Sequence, residues 1–291
     1  MRLLAKLNLI LVSVFLAGFL PTAWLTRELL RSNARDQAVD KARLMMDSAL
    51  AVRGYTIKQI KPLIADRLAE EFLPQSVPAY SATEVFASLR ESNADYSYKE
   101  ATLNPTNPRN RTVEWEADIV EAFRRDPQRK EILGERDTPQ GRSLYLGHPI
   151  RIVDANCLAC HDTAELAPAS LVRKYGPSNG FGWKKDEVIG AQLVSVPMSV
   201  PLHRADEAFK RVAIWLVGGF LVTLVVMNLL LRFTVVAPIR RLSAMADEVS
   251  MGNFDVPEVN LKGKDEVAQL SASFGRMRIS LKKAMSILED P

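Results

Sequence analysis

Cysteine and histidine are scarce in this sequence, which has two cysteines and three histidines in 291 residues. Two thiols allow at most one disulfide within the chain. Blocks of one charge are also missing, since the net charge is +4 with 25% charged residues, and no nucleic-acid partner is expected. Internal repeats and low-complexity tracts are not visible. No further polar cluster stands out as a hydrolytic or group-transfer site, so an enzyme is not expected.

Two apolar runs, Leu7–Leu25 and Val212–Leu231, contain no charged residue. Each comes close to the roughly 20 residues that a helix needs to cross a hydrocarbon core of about 30 Å. The first run could instead be a cleaved signal peptide, because Arg2 and Lys6 form a basic n-region. Its apolar length and the lack of a small-x-small cleavage site after Pro21 favour an uncleaved anchor. Basic residues flank both ends of this run, so charge does not decide the orientation.

Between the runs, residue periodicity predicts an α+β domain. A long helix is expected over Arg27–Leu68, with a break at Pro62 and an apolar stripe of Met45, Ala49, Val52 and Thr56 at helical steps. A second helix is expected over Val113–Arg125. The expected strands are Ser97–Leu103, Ser143–Ile152 and Asp186–Met198. This order predicts a small α+β domain built on an antiparallel sheet.

After the second run, apolar residues repeat as in a coiled coil. Ile239, Leu242, Ala246 and Val249 step by three, four and three, and a polar connector, Gly252–Lys264, follows. A cleaner heptad then comprises Val267, Leu270, Phe274, Met277, Leu281, Ala284 and Leu288. One narrow stripe cannot bury itself in a monomer, so we expect a homodimer with a parallel four-helix bundle. Amphipathic helices lying on the membrane are the alternative, which the mixed acids and bases of the polar face disfavour.

This segment resembles the HAMP linker of bacterial receptors. The resemblance rests on Pro238 and on ADEVSMGNFDVP (246–257) and DEVAQLSASFGRMRISL (265–281), and it departs from the family pattern at Ala268, where glycine is usual. It implies a segment just inside the bacterial inner membrane that relays helix motion from a periplasmic sensor. Residues 27–211 would then lie in the periplasm, and both termini in the cytoplasm.

Both cysteines lie in NCLACHD, residues 156–162. Two cysteines three apart, followed by histidine, form the attachment signature of c-type haem, in which each thiol adds to a vinyl group and His161 becomes an axial ligand. A disulfide would constrain little unfolded-state entropy, a thioredoxin-like motif would be expected in a βαβ setting, and zinc would need two further ligands. We therefore expect one haem c per chain, covalently attached through Cys157 and Cys160.

The surrounding sequence resembles a family of single-haem c-type domains with a PAS-like fold, over most of residues 42–198. Besides the cysteine motif, the resemblance rests on Asn104-Pro105-x-Asn107, Trp115-Glu116, Cys157-Leu158 and Gly190-Ala191. Some soluble members use a cysteine on the N-terminal helix as the second axial ligand. This chain has no third cysteine, so the second axial position is filled by another group or is open.

Candidates for that position are Met45 and Met46 on the long helix and His148 on a strand. Packing in the core is the alternative for each of them. His203 and Tyr55 are weaker candidates, and an open position would suit a small gas such as NO. Arg53 and Arg109 are candidate partners of the haem propionates, because guanidinium groups match carboxylates; ordinary exposed charge is the alternative.

The resulting hypothesis is a dimeric inner-membrane sensor with a PAS-like periplasmic domain. Haem reduction or gas binding would change helix packing, and the bundle would relay that change. A separate cytoplasmic signalling protein is expected to receive the signal, because no kinase, methyl-accepting or cyclase domain follows before Pro291. The alternative is a membrane-anchored electron-transfer cytochrome, which would not need the HAMP-like segment. The predicted boundaries are 1–26 and 212–233 for the membrane helices, 27–211 for the sensor and 234–288 for HAMP.

Overall fold

The computed structural model describes residues 3–139, 141–257, 263 and 265–289, and of residues 3, 69 and 286–289 it describes only the backbone. The chain divides into two compact units. The span unit combines Met1–Leu25 with Lys210–Pro291, and the sheet unit is Thr26–Phe209. Part of the predicted connector between the two coiled-coil segments, residues 258–262 and 264, lies outside the described residues, as does the side chain of Leu288.

The long N-terminal helix, α1, spans Leu3–Tyr55. A π-helical turn, Thr56–Ile60, follows it and leads into two short helices, α2 (Lys61–Leu63) and α3 (Ala65–Glu70). The predicted break is therefore confirmed, although it begins six residues before Pro62. The reason is local: proline lacks an N–H donor, and its ring crowds the carbonyl four residues earlier, which belongs to Lys58 inside the π turn.

The sheet unit is built on an antiparallel sheet. Among the described residues, four strands pair in the order β1-β4-β3-β2. Their bounds are Ser97–Thr102 for β1, Ile132–Thr138 for β2, Gly141–Arg151 for β3 and Val188–Pro197 for β4. Three of these strands and the antiparallel pairing are as predicted. Strand β2 was not predicted; it lies at the sheet edge, and ILGERDT has no clean apolar alternation.

Helices cover both faces of the sheet. On one face, α1 and α4 (Pro78–Ser92) bury a core that includes Ala42, Met46, Ala49, Phe86, Leu144, Leu146, Val194 and Val196. On the other face, α5 (Glu114–Arg125) packs Ile119, Val120 and Phe123 against Ala191 and Leu193. The predicted stripe of α1 therefore faces the sheet. Helices α6 (Leu158–His161) and α7 (Ala169–Tyr175) lie between β3 and β4 in the chain.

The span unit contains the two apolar segments. Helices α1 and α8 (Ser199–Leu231) each include a stretch long and apolar enough to cross a membrane. Within this unit Asn8 and Asn228 form a reciprocal amide pair, with Nδ2 to Oδ1 distances of 3.0 and 2.8 Å. The rings of Phe15 and Phe220 stack with their centroids 3.8 Å apart. Polar groups inside a span are expensive unless they are paired, and these two amides satisfy each other.

Beyond α8, a π-helical turn (Arg232–Val236) leads into α9 (Ala237–Ser250), and α10 spans Glu266–Glu289. The buried residues of α9 are Leu242, Met245 and Val249, which pack against Phe254, Val256, Val267 and Phe274. Met245 therefore takes the place predicted for Ala246, which is half-buried, and the predicted Ile239 is 40% exposed. Along α10, the predicted heptad residues Leu270, Met277 and Leu281 are exposed in the single chain.

Candidate functional site

The cysteine motif adopts a continuous short helical path. The Asp154 side chain accepts a hydrogen bond from the backbone N–H of Asn156 at 2.9 Å, and it starts a 3₁₀ turn, Ala155–Cys157, that runs into α6. Residues three apart on a helix lie on the same side, so Cys157 and Cys160 are neighbours. Both are free, half-buried thiols. Burial raises the pKa of both thiols, while the charge of Lys61 acts in the opposite direction.

His161 is held in one tautomer by a backbone carbonyl. Its Nδ1 lies 2.6 Å from the Gly180 carbonyl oxygen, and a carbonyl can only accept, so Nδ1 carries the proton. The remaining nitrogen, Nε2, therefore keeps its lone pair for a metal. Burial lowers the pKa of His161, and the bond to Gly180 partly opposes this. The imidazole is thus neutral at neutral pH, which is the form that coordinates iron.

The indole of Trp183 fixes the plane of the His161 ring. The two rings stack with centroids 3.8 Å apart and an interplanar angle of 14°. The backbone N–H of Trp183 donates to the His161 carbonyl at 3.2 Å, and that of Gly182 donates to the Asp162 carbonyl at 2.6 Å. Residues 180–183 (GFGW) therefore lie along the C-terminal end of the cysteine motif.

A second loop positions the carbonyl that holds His161. The Asn104 side chain accepts from the backbone N–H of Gly180 and donates to the Phe181 carbonyl, both at 3.1 Å. Gly180 has φ of +85°, and a Cβ there would lie 2.8 Å from the Cα of Thr106. Glycine is needed at this position for both reasons. The Asn-Pro-x-Asn segment thus acts on His161 through Gly180, a role that the sequence did not reveal.

The donor set fits a haem. Two neighbouring thiols stand beside an imidazole whose Nε2 is free to coordinate, which is what a CxxCH haem site requires. Apolar side chains next to the motif in the chain, Val153 and Leu166, are 69% and 70% exposed. The Nε1 of Trp183 is buried without a hydrogen-bond partner among the described residues. Exposed apolar side chains on both sides of the motif and an indole N–H without an acceptor suit a large, mainly apolar group that carries carboxylates.

The predicted axial candidates on α1 and β3 have other partners. Met46 is fully buried in the core between α1 and the sheet, and Met45 packs against the same core. The Nε2 of His148 lies 3.5 Å from Glu131 Oε2. His203 lies on α8, and Tyr55 is 59% exposed at the end of α1. None of these contacts joins the candidates to His161, and a role for Met45, Met46 or His148 at the iron stays a prediction.

The two predicted propionate partners are engaged in ion pairs. Arg53 pairs with Glu100, whose side chain is only 4% exposed, and Tyr98 Oη donates to the same carboxylate at 2.7 Å. Arg109 bonds Glu84 at 2.6 Å and lies over the ring of Tyr80. The positive charge of Arg53 opposes the rise that burial causes in the pKa of the Cys157 thiol. The buried Glu100 was not predicted, because its partner is 47 residues away in the chain.

The fold and the site together define a chain of receptor layout, with an α+β domain that carries a haem-type motif between two candidate membrane helices. The family model described as Tll0287-like matches residues 31–197, more than half of the chain, and the chain belongs to this family. A HAMP domain model matches residues 230–283. Both resemblances predicted from the sequence are thereby confirmed. The chain thus combines a Tll0287-like domain with a HAMP domain.

One solved structure is similar to this chain: the crystal structure of the cyanobacterial haem protein Tll0287. The TM-score is 0.43 at 15% sequence identity, and the match covers 55% of this chain and 95% of the other. No curated protein matches the chain.

Proposed function

We propose that the chain is a membrane-bound haem c sensor, with Cys157 and Cys160 as the covalent attachment points and His161 as an axial ligand of the iron. The observation that carries this proposal is the hydrogen bond from His161 Nδ1 to the Gly180 carbonyl. This hydrogen bond selects the tautomer whose Nε2 can coordinate a metal. His161 directly follows the motif that carries the two free thiols. When bound, the haem supplies a centre that changes oxidation state or takes up a small gas.

The proposed arrangement follows the HAMP match. Residues 27–211 form a periplasmic PAS-like sensor between membrane helices 1–26 and 212–233 of the bacterial inner membrane, and residues 234–288 form a cytoplasmic HAMP module. Two copies pair through a parallel four-helix bundle, since Leu270, Met277 and Leu281 are exposed on α10 of the single chain. The bundle passes the signal to a separate cytoplasmic protein.

The residues that transmit the signal join α1 to its neighbours. Arg53 of α1 is tied to the buried Glu100 on β1. At the other end of the sheet unit, Arg31 of α1 contacts Asp206 of α8 through two hydrogen bonds of 3.2 Å. A shift of α1 at the haem therefore changes its contacts with α8. Both helices continue into the candidate spans, and the bundle is the bistable element that the two haem states bias differently.

Covalent attachment and the axial role are tested on the full-length protein in membranes. We expect haem staining of the denatured chain to survive in wild type and to vanish in C157A/C160A. H161A should change the absorption and EPR spectra, whereas E121Q, which alters a 50% exposed carboxylate on α5, should leave them unchanged. Haem lost on denaturation of the wild-type chain, or an H161A spectrum like that of wild type, would contradict the assignment.

The signalling role has its own test. Deleting residues 265–291 should abolish a transcriptional or motility response and leave haem reduction intact. Reduced periplasmic electron flux without a signalling phenotype would instead identify the membrane-anchored electron-transfer cytochrome.

The second axial position is tested by spectra of the M45A, M46A and H148A variants, in the ferrous state with and without NO. Unchanged spectra in all three variants, with NO bound by wild type, would identify an open position and a gas signal.

A further inference from the structure

A second concave region lies on the face of the sheet that α5 only partly covers. It is a groove of about 400 Å³. Strands β1, β3 and β4 form its floor, and the first turn of α5 and the strand β2 form its sides. Along β3 the groove extends as far as Ser143. Arg151, at the other end of that strand, is eight residues farther along, or about 25 Å away. The groove is therefore separate from the cysteine motif, which follows that other end of β3.

Cationic side chains reach the groove from four elements of the sheet unit: Arg90 of α4, Lys99 of β1, Arg136 of β2 and Arg142 of β3. Two of these charges are neutralised locally. Lys99 bonds the buried Glu116 at 2.6 Å, and Arg142 bonds Glu135 at 2.7 Å. Arg90 and Arg136 form no ion pair within the part of the chain that the structure describes. Asp95 also lines the groove, and it is exposed.

Arg136 is held ready to bind an anion. Its guanidinium lies over the ring of Trp115, 4.0 Å from the centroid. Stacking fixes the plane of the guanidinium and leaves the N–H donors at its edge available. Those donors have no hydrogen-bond acceptor among the described side chains and backbone. A planar fork of this kind matches the two oxygens of a carboxylate or phosphate.

The floor supplies two further donors. Ser97 and Ser195 are directly opposite each other on β1 and β4, so their hydroxyls lie close together. Both residues are half-buried and line the groove, and neither hydroxyl has a partner among the described residues. Two free hydroxyls beside a preoriented guanidinium form a donor set for an oxyanion.

We propose that this groove binds a small oxyanion, a carboxylate or phosphate group, with Arg136 as its main contact, and that it gives the sensor domain a second ligand site. Such a group could belong to a free small molecule or to a phospholipid headgroup. Pro197, at the end of β4, lines the groove, and α8 begins two residues later at Ser199. The proposal does not depend on the haem assignment.

The test uses the full-length chain in phosphatidylcholine nanodiscs, titrated with inorganic phosphate by isothermal calorimetry. We expect saturable binding, and we expect R136Q to raise the Kd about tenfold or more, since charge-assisted bonds are the strong ones. R136K should bind with intermediate affinity, because it keeps the charge and loses the fork. R173Q is the matched control: it removes an exposed arginine on α7 and should bind like wild type.

A second arm distinguishes the sources. Nanodiscs that contain phosphatidylglycerol should weaken phosphate binding if the headgroup competes for the groove, and R136Q should remove that difference. Equal binding in both lipids identifies a free anion as the ligand. An unchanged far-UV circular dichroism spectrum shows that each variant is folded. Absence of saturable phosphate binding by wild type, or equal affinity in R136Q and wild type, overturns the proposal.

Discussion

The Nδ1 of His161 donates to the carbonyl of Gly180 across a distance of 2.6 Å. That carbonyl is aimed by two constraints, the left-handed backbone of Gly180 and the Asn104 side chain that bonds its N–H. A residue 19 positions away in the chain thus sets the tautomer of the histidine. In the proposed haem site this carbonyl is a positioning group, since the partner of a metal-binding histidine commonly tunes its orientation and basicity.

The first prediction concerns Gly180. In G180A the new Cβ would meet the backbone of Thr106 at 2.8 Å, and alanine also resists a φ of +85°. We expect the carbonyl to move away from His161 and the haem absorption bands to shift or the haem content to fall. The measurement is the absorption spectrum and the ratio of covalent haem to protein.

G182A is the matched control for that variant. Gly182 has a similar φ of +78°, but a Cβ there has nothing within 4 Å. It therefore tests backbone strain in the same loop without the clash. A spectral change of equal size in both variants would show that loop strain, rather than the carbonyl at His161, accounts for the effect.

The second prediction concerns Arg53 and Glu100. R53Q leaves an almost fully buried carboxylate without its cation, so we expect a loss of about 3 kcal/mol in stability. E100Q should cost less, because the Arg53 side chain is 23% exposed and can reach water. R53Q/E100Q should recover part of the loss, since no charge is left unpaired. Hydrogen exchange of the β1 amides in the full-length protein measures the stability of all three variants.

An exposed pair on the same helix provides the comparison. Arg43 and Glu131 are 3.0 Å apart, with side chains 55% and 31% exposed, and exposed pairs contribute little. R43Q/E131Q should therefore change the hydrogen exchange of the β1 amides much less than R53Q does. If the two sets of variants behave alike, the burial of Glu100 does not govern the stability of this contact.

The sequence predicted those features whose cause is local. The cysteine motif and the stripe of Met45, Ala49, Val52 and Thr56 are patterns within a few residues of chain, and the structure has the stripe facing the sheet. Strand β2 was missed, because an edge strand is half-solvated and carries Glu135, Arg136 and Asp137 in succession. Its pattern therefore lacks the alternation of a half-buried strand.

The supports of the site are long-range, which is why the sequence did not reveal them. Asn104 and Gly180 are 76 residues apart, and neither carries a chemical signature of its own. Their relation to His161 exists only once β1 and β4 pair and bring the two loops together. The same holds for Arg53, which was predicted to meet propionates: without the fold, a buried carboxylate on β1 could not be identified as its partner.

The third prediction is a pH dependence at Glu135. This carboxylate bonds Arg35 at 2.6 Å and Arg142 at 2.7 Å, and these bonds lower its pKa below the ordinary 4.5. A carboxyl whose pKa is lower in the folded than in the unfolded state stabilises the fold at pH values above the unfolded pKa. This stabilisation is lost as the pH falls through the folded pKa. E135Q should therefore be less stable at pH 7, by about 1 kcal/mol.

The difference between wild type and E135Q should begin to shrink below pH 4.5, where the unfolded carboxyl takes up its proton, and should be lost once the pH falls below the lowered pKa of the folded carboxyl. Thermal unfolding of both proteins across pH 3 to 8 measures it. E121Q, which alters a 50% exposed carboxylate on α5, should show a much smaller and flatter difference. A constant gap between wild type and E135Q at every pH would mean that the charge of Glu135 is not the source of its contribution.

The last prediction concerns the amide pair of Asn8 and Asn228 in the span unit. Replacing either asparagine by leucine leaves the other amide with an unfilled hydrogen-bonding capacity in an apolar environment, so we expect N8L and N228L each to lose about 1 kcal/mol in stability. N8L/N228L should recover much of this stability, because no polar group then remains unpaired.

Thr22 supplies the control: its hydroxyl bonds the Gly18 carbonyl of its own helix at 2.8 Å, so T22V should be nearly neutral. Thermal unfolding in detergent compares the four variants with wild type. Strictly additive losses in the double variant would contradict a direct pair, since coupled partners are expected to deviate from additivity.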